Sequence, residues 1–222
     1  MSFVKHNIYI VTGHYGSGKT EFSVNFALSL KKSHQKVVLV DLDIVNPYFR
    51  SNDSRAILEQ AGVSVIAPSY AGTNVDIPVL PPEIMRIFEE KDAQIVLDVG
   101  GDDDGAIARG RYKQYFDRHG YELYLVVNTR RPMTTTADEI LQMKTDIEIA
   151  SRLSVTALIA DTNLADETDA ALVEEGYEIV KSVSQKTGIP IAYVCATEHV
   201  AETLSSECKE KLFPIVRRTI KI

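Results

Sequence analysis

"NIYIVTGHYGSGKTEF", residues 7–22, passes without a break from an apolar, β-branched run into a glycine-rich turn and on into a segment of helical period. Gly13, Gly18, Lys19 and Thr20 fill the spacing G-x-x-x-x-G-K-[ST]. They do so between a strand and a helix, the setting that this Walker A pattern needs. Glycines there let main-chain N–H groups curl around an anion, and a helix starting near Lys19 aims its positive end at the same place. Lys19 then reaches outer phosphates as a point charge, and the Thr20 hydroxyl suits a magnesium ion. Gly16 adds freedom to the loop. The expected nucleotide contacts run through Gly13, His14, Tyr15, Gly16, Ser17, Gly18, Lys19, Thr20 and Glu21.

Outward from this turn, further apolar runs occupy 36–41, 63–67, 94–99, 121–128, 154–160 and 189–195. They are continuous rather than alternating, which predicts strands buried on both faces. Segments of helical period lie between them at 19–32, 53–61, 82–91, 134–152 and 166–187, where Ile140, Met143, Ile147 and Ala150 recur three or four apart. The rhythm predicts an α/β fold: a mainly parallel sheet, helices on both faces, right-handed crossovers, and one domain over 1–222. Such a sheet holds ligands at the carboxyl ends of its strands. The Pro-rich "DIPVLPPE" at 76–83 reads as a turn into a helix.

Two of these strand ends carry carboxylates. "VVLVDLDIVNPYFR" (37–50) closes its strand with Asp41 and Asp43, which emerge on one side because strand residues alternate in direction. "IVLDVGG" (95–101) closes another with Asp98 ahead of paired glycines. A single strand-end Asp is equally well a turn or cap residue. With the glycine-rich loop, the three read as a cluster that holds magnesium and positions water.

Composition sets limits. The 222 residues are 45% hydrophobic and 25% charged, enough to bury a full core in one domain. A net charge of −7, with basic pairs scattered at 31–32, 130–131 and 217–218, argues against a nucleic-acid surface. No run approaches the roughly 18 apolar residues that would span a bilayer, and "MSFVKHN" lacks a secretion signal's apolar core, so the expectation is cytoplasmic. Cys195 and Cys208 form no C-x-x-C pair and read as incidental thiols of a reducing compartment.

On these motifs the chain resembles, over nearly its whole length, the phosphate-loop class of the MinD/ParA partitioning ATPases, the nitrogenase iron protein and the CobQ/CobB enzymes. In that class a variant Walker A loop is followed by D-x-D at the next strand end and by a strand-end Asp-x-x-Gly. The matching positions are Gly13 to Thr20, Asp41 with Asp43, and Asp98 with Gly101. The resemblance implies that Asp43 orients the attacking water, that Asp41 and Asp98 hold hydrated magnesium, and that Gly101 lies in a switch sensing the γ-phosphate. The partitioning members carry a lysine where this chain has His14, and that lysine crosses a dimer interface. An imidazole is shorter and mostly neutral near pH 7. Activation by a partner copy is therefore not implied here, homodimerisation stays open, and His14 reads equally as a packing or a catalytic residue.

The loop is also similar to that of metallocentre-assembly GTPases, which recognise guanine with N-K-x-D. The matching stretch is "ADTN", 160–163, with Asn163 where the guanine-reading Asp would stand. Asn163 carries both an acceptor and a donor for adenine, which favours ATP. Weaker features are Asp102, Asp103 and Asp104, read as an acidic helix start, and Arg109 and Arg111, read as surface ion pairs or partner contacts. Tyr48, Phe49 and Arg50 read as partner contacts in a first switch loop, Asn128 as part of a helix entry or a nucleotide contact, and His199 as a surface residue. The expectation is an ATP-binding, magnesium-dependent hydrolase switching a protein partner. Alternatives are a small-molecule kinase or ATP-dependent ligase of the dethiobiotin synthetase or CobQ/CobB type, or a metallocentre-assembly GTPase. The tail "ECKEKLFPIVRRTIKI" is broken by Pro214 and does not read as a membrane-targeting helix.

Overall fold

The computed structural model describes residues 7–42, 52–66, 86, 92–100 and 113–218. Its centre is a sheet of eight parallel strands: β1 (Ile8–Thr12), β2 (Lys36–Asp41), β3 (Ser64–Ile66), β4 (Ala93–Asp98), β5 (Glu122–Val127), β6 (Ala157–Ala160), β7 (Ile191–Ala196) and β8 (Leu212–Pro214). The spatial order is β3-β2-β4-β1-β5-β6-β7-β8. β1 therefore lies inside the sheet between β4 and β5, and the chain builds the two sides of the sheet in succession around it. The crevice at such a reversal of strand order opens at the carboxyl ends, where the glycine-rich turn leaves β1.

The continuous apolar runs are explained by burial on both faces. Val11, Val37, Leu39 and Val96 project to one face, under Phe22 and Phe26 of helix α1 (Lys19–Lys31) and Leu58 of α2 (Asn52–Gln60). Ile10, Val38, Val40, Ile95, Leu97 and Leu125 project to the other. That second face is covered by Phe116 of α3 (Lys113–His119), Ile140 and Ile147 of α4 (Ala137–Ser151), and Val173 and Val180 of α5 (Ala170–Thr187). Short helices α6 (Glu198–Ala201) and α7 (Ser206–Glu210) precede β8. Phe22 and Phe26 sit in an aromatic cluster with Tyr9, Tyr124, Tyr193 and Phe213, at centroid distances of 4.9–6.3 Å. This packing fastens α1, and so the loop before it, to the sheet.

Local signals place the helix starts. α4 begins at Thr136, whose side chain accepts from the Glu139 N–H while Glu139 reaches back to the Thr136 N–H. This reciprocal box satisfies two donors that the first turn leaves open. α5 begins later than the expected 166, because Ala165–Glu167 forms a separate 3₁₀ turn and Asp169 then caps Leu172 N at 2.8 Å.

Two further expectations change, and a third lies almost wholly outside the described residues. The sheet gains an eighth strand, Leu212–Pro214, within the tail for which the sequence offered only a break at Pro214. Its three residues are too short for a periodic signal, and Pro214 occupies the strand's last position, where it interrupts no ladder. The strand expected at 154–160 is confined to Ala157–Ala160. The helix expected at 82–91 lies outside the described residues except for helical Arg86.

Candidate functional site

The loop after β1 has the backbone that its glycines were expected to allow. Gly16 and Gly18 hold φ of +72° and +93°, in the left-handed region that favours glycine. Gly13 is required by space as well, since a Cβ there would lie 2.3 Å from the Val126 carbonyl oxygen. Ser17 N donates to His14 O at 3.1 Å, closing the turn. Lys19 is 6% exposed and folds back over the loop, its Nζ donating to the same His14 carbonyl at 3.3 Å. Ser17 Oγ is fully buried with no hydrogen-bond partner among the described residues. An inward hydroxyl, a folded-back ammonium and the start of a 13-residue helix make a cradle whose chemistry fits a phosphate. Of the other expected contacts, Tyr15 is exposed and His14 half-buried, with His14 Nδ1 3.1 Å from Tyr15 O.

The strand-end carboxylates meet beside this cradle. Asp41 and Asp98 are Cα partners across the β2–β4 pair, and Asp98 is at the same time the partner of Val11 on β1. Because Val11, Val37, Leu39 and Val96 face α1, alternation turns both carboxylates to that face. They are 6% and 1% exposed. Thr20, on the first turn of α1, and these two carboxylates all offer oxygen atoms, the ligand chemistry that magnesium takes. Among the described residues no group of three or more His, Cys, Asp or Glu is placed to hold a metal. Asp43, Gly101, the acidic run 102–104, Arg109, Arg111 and the stretch at 48–50 lie outside the described residues.

At the other end of the cradle, the stretch after β6 is knit to the stretch after β5. Asn128 is fully buried; its Nδ2 donates to Asn163 O at 3.1 Å, and its Oδ1 accepts from Arg130 N at 3.0 Å and Asn163 N at 3.3 Å. Asn163 is half-buried, and its Nδ2 donates to Asp161 O at 2.9 Å, which orients its Oδ1 as the remaining side-chain acceptor. Asn128, expected as part of a helix entry or as a nucleotide contact, is thus the joint that positions Asn163.

Three groups at the site escaped sequence reasoning. Asp161, within the "ADTN" stretch, is buried with its carboxylate against the loop: a Cβ on Gly18 would fall 1.9 Å from Asp161 Oδ2. Burial, with the nearby Glu21 carboxylate, holds the Asp161 carboxyl well above the usual carboxylate range, against an opposing hydrogen bond from Asn163. Second, the C-terminal segment is latched to α1. Asn25 Oδ1 accepts from Val216 N at 3.0 Å and Asn25 Nδ2 donates to Val216 O at 3.1 Å, while Glu21 Oε1 accepts from Arg218 N at 2.9 Å. Third, Arg131 Nε donates to Gly16 O at 3.0 Å. The partners of Asn25 and Arg131 lie 191 and 115 residues away in sequence, so no local pattern announces them. Asp161 alone carried a signal: a charged residue at the end of an otherwise apolar strand.

No family model and no curated protein sequence matches this chain. Solved structures do. The cell division protein FtsY from Thermotoga maritima superposes with a TM-score of 0.60 at 20% identity, over 88% of this chain and 66% of that one. The signal recognition particle receptor FtsY from Elizabethkingia anophelis gives 0.56 at 20% identity, over 88% and 59%. A nucleotide-binding protein from Archaeoglobus fulgidus, solved with ADP, gives 0.52 at 11% identity, over 88% and 84%. The chain thus spans between 59% and 66% of the length of these two FtsY proteins. The architecture of this chain is that of an α/β P-loop nucleoside triphosphatase.

Proposed function

We propose that this chain is a single cytoplasmic nucleotide-binding domain of the MinD/ParA-like class that binds ATP with magnesium and hydrolyses it as a switch. The observation that carries the reading is the coincidence at one strand crevice of the glycine cradle with Lys19 and of Asp41 beside Asp98. On binding, Lys19 Nζ exchanges the His14 carbonyl for phosphate oxygens, and the N–H groups of the loop and the first turn of α1 take the remainder. Thr20, Asp41 and Asp98 would hold magnesium, which neutralises charge on the phosphates. Asp43 is assigned to orienting the attacking water, by the resemblance alone. Asn163 Oδ1 accepts from the exocyclic amino group of adenine, and the carboxylate that would pair two guanine donors is replaced by this amide. The output is read by a protein partner, and homodimerisation is compatible with the exposed loop.

Phosphate release measured for wild type, Lys19→Ala and Asp43→Ala tests this directly. Slow turnover abolished in both variants supports the switch, whereas rapid turnover that needs an added metabolite would move the assignment to small-molecule chemistry. Base choice is tested by melting. Mg-ATP at about 100 times its Kd should add about 2.7 kcal/mol. For a chain of this size each kilocalorie raises Tm by about 2–4 °C. A larger shift with Mg-GTP would reverse the base assignment.

A further inference from the structure

Among the described residues, the side chains of Lys19 and Arg131 both donate to carbonyls of the glycine-rich loop, and only Lys19 belongs to its motif. Lys19 lies within; Arg131, from the turn after β5, lies across the outside with its Nε on Gly16 O at 3.0 Å. The contact is close: a Cβ on Gly16 would meet Arg131 Nε, Cζ and Cδ at 3.1, 3.4 and 3.5 Å. Gly16 is favoured for its φ of +72°, and a Cβ there would press on the Arg131 side chain. The base from which Arg131 extends is rigid. Arg131 N donates to Asn128 O at 3.1 Å, and the buried Thr134 hydroxyl donates to the same carbonyl at 2.7 Å. Its neighbour Arg130 is taken by Glu175 on α5. The terminal nitrogens of Arg131, by contrast, make no hydrogen bond or ion pair among the described residues, and the side chain is exposed.

The charge around the cradle gives this position its meaning. Within the loop and first turn, Lys19 and Glu21 cancel formally. Among the described residues of the loop and first turn, a polyphosphate meets helix and main-chain dipoles and side chains of no net formal charge. Resting on the proposed nucleotide reading, we infer that Arg131 supplies that second positive charge in the same chain. Its Nε stays on Gly16 O while its two terminal nitrogens bond the outer phosphate oxygens. A planar guanidinium has five donors in fixed geometry, so it can hold the loop with one and a phosphate with others. In a loose phosphoryl-transfer transition state the charge is spread over the three equatorial oxygens, where a guanidinium stabilises it.

The test compares wild type, Arg131→Gln and Arg131→Lys by calorimetry with Mg-ATP and Mg-ADP, and by phosphate release. The glutamine keeps a donor for Gly16 O and removes the charge; the lysine keeps charge and loses the fork. Arg131→Gln should weaken Mg-ATP at least about 10-fold and Mg-ADP less than about 3-fold, with kcat reduced in step. Arg131→Lys should fall between. Equal effects on the two nucleotides, or none, would make Arg131 a mere brace of the loop and overturn the inference. So would restored turnover on mixing Arg131→Gln with Lys19→Ala protein, which would place the arginine's action on a second copy. If wild type took up neither nucleotide, the nucleotide reading and this inference would fall together. If wild type binds, Lys19→Ala does not, and Arg131→Gln is unchanged, only the role of Arg131 fails.

Discussion

Asp41 and Asp98 stand opposite one another, in register, on neighbouring parallel strands, both turned to the face that carries α1. Two buried carboxylates side by side at the mouth of a sheet are costly unless a cation or hydrogen bonds compensate them. Their register with Val11, two residues before Gly13, sets them beside the cradle rather than elsewhere along the sheet.

Asp98→Asn should therefore separate magnesium from nucleotide. If Asp98 steadies hydrated magnesium, the substitution lowers apparent magnesium affinity by about 10–100-fold. Melting curves with nucleotide, with and without magnesium, read this out: the magnesium-dependent part of the shift should disappear. A variant that keeps the full magnesium response would exclude Asp98 from the site.

Gly18 is pinned by two independent constraints. Its φ of +93° disfavours any side chain, by about 1–2 kcal/mol, and a Cβ would collide with Asp161 Oδ2 at 1.9 Å. Gly18→Ala should lower the denaturant midpoint and abolish nucleotide binding. Adding Asp161→Gly removes the collision and leaves the backbone strain, so the double variant should recover stability only in part. Full recovery would show that the backbone can relax.

The buried Asp161 carboxyl makes stability pH-dependent. Its folded pKa is raised, first by burial and then by Glu21, so the native state holds this proton more tightly than the unfolded chain, whose Asp titrates near about 3.9. The stabilising contribution is complete below that unfolded value and is lost as pH rises towards the folded pKa. Asp161→Asn lacks this slope. Urea melts between pH 4 and 8 should show the variant gaining on wild type as pH increases, and parallel profiles would contradict the raised pKa.

Asn25 is the latch of the C-terminal segment, with both ends of its amide on Val216 and its nitrogen also on Glu21 O at 2.8 Å. Asn25→Ala breaks the pair and leaves backbone groups of the tail unsatisfied, a loss of about 1–3 kcal/mol. Hydrogen exchange at Val216 and Arg218 should accelerate well beyond that of β1. Unchanged protection at those amides would mean that burial of Phe213 and Ile215 suffices to hold the tail.

Local sequence determined the strands of the sheet's interior and the loop chemistry, because unbroken apolar runs and a spaced set of glycines report on conformation within a few residues. Gly13 through Thr20 and the carboxylates Asp41 and Asp98 were legible for that reason. The contacts of Arg131 with Gly16, of Asp161 with Gly18, and of Asn25 with Val216 depended on the folded chain, as did the eighth strand. Each joins segments that are distant in sequence and come together only when the sheet closes its order around β1. The partners of a side chain in such a crevice are set by strand register and helix packing, which are properties of the assembled core and not of any window of residues.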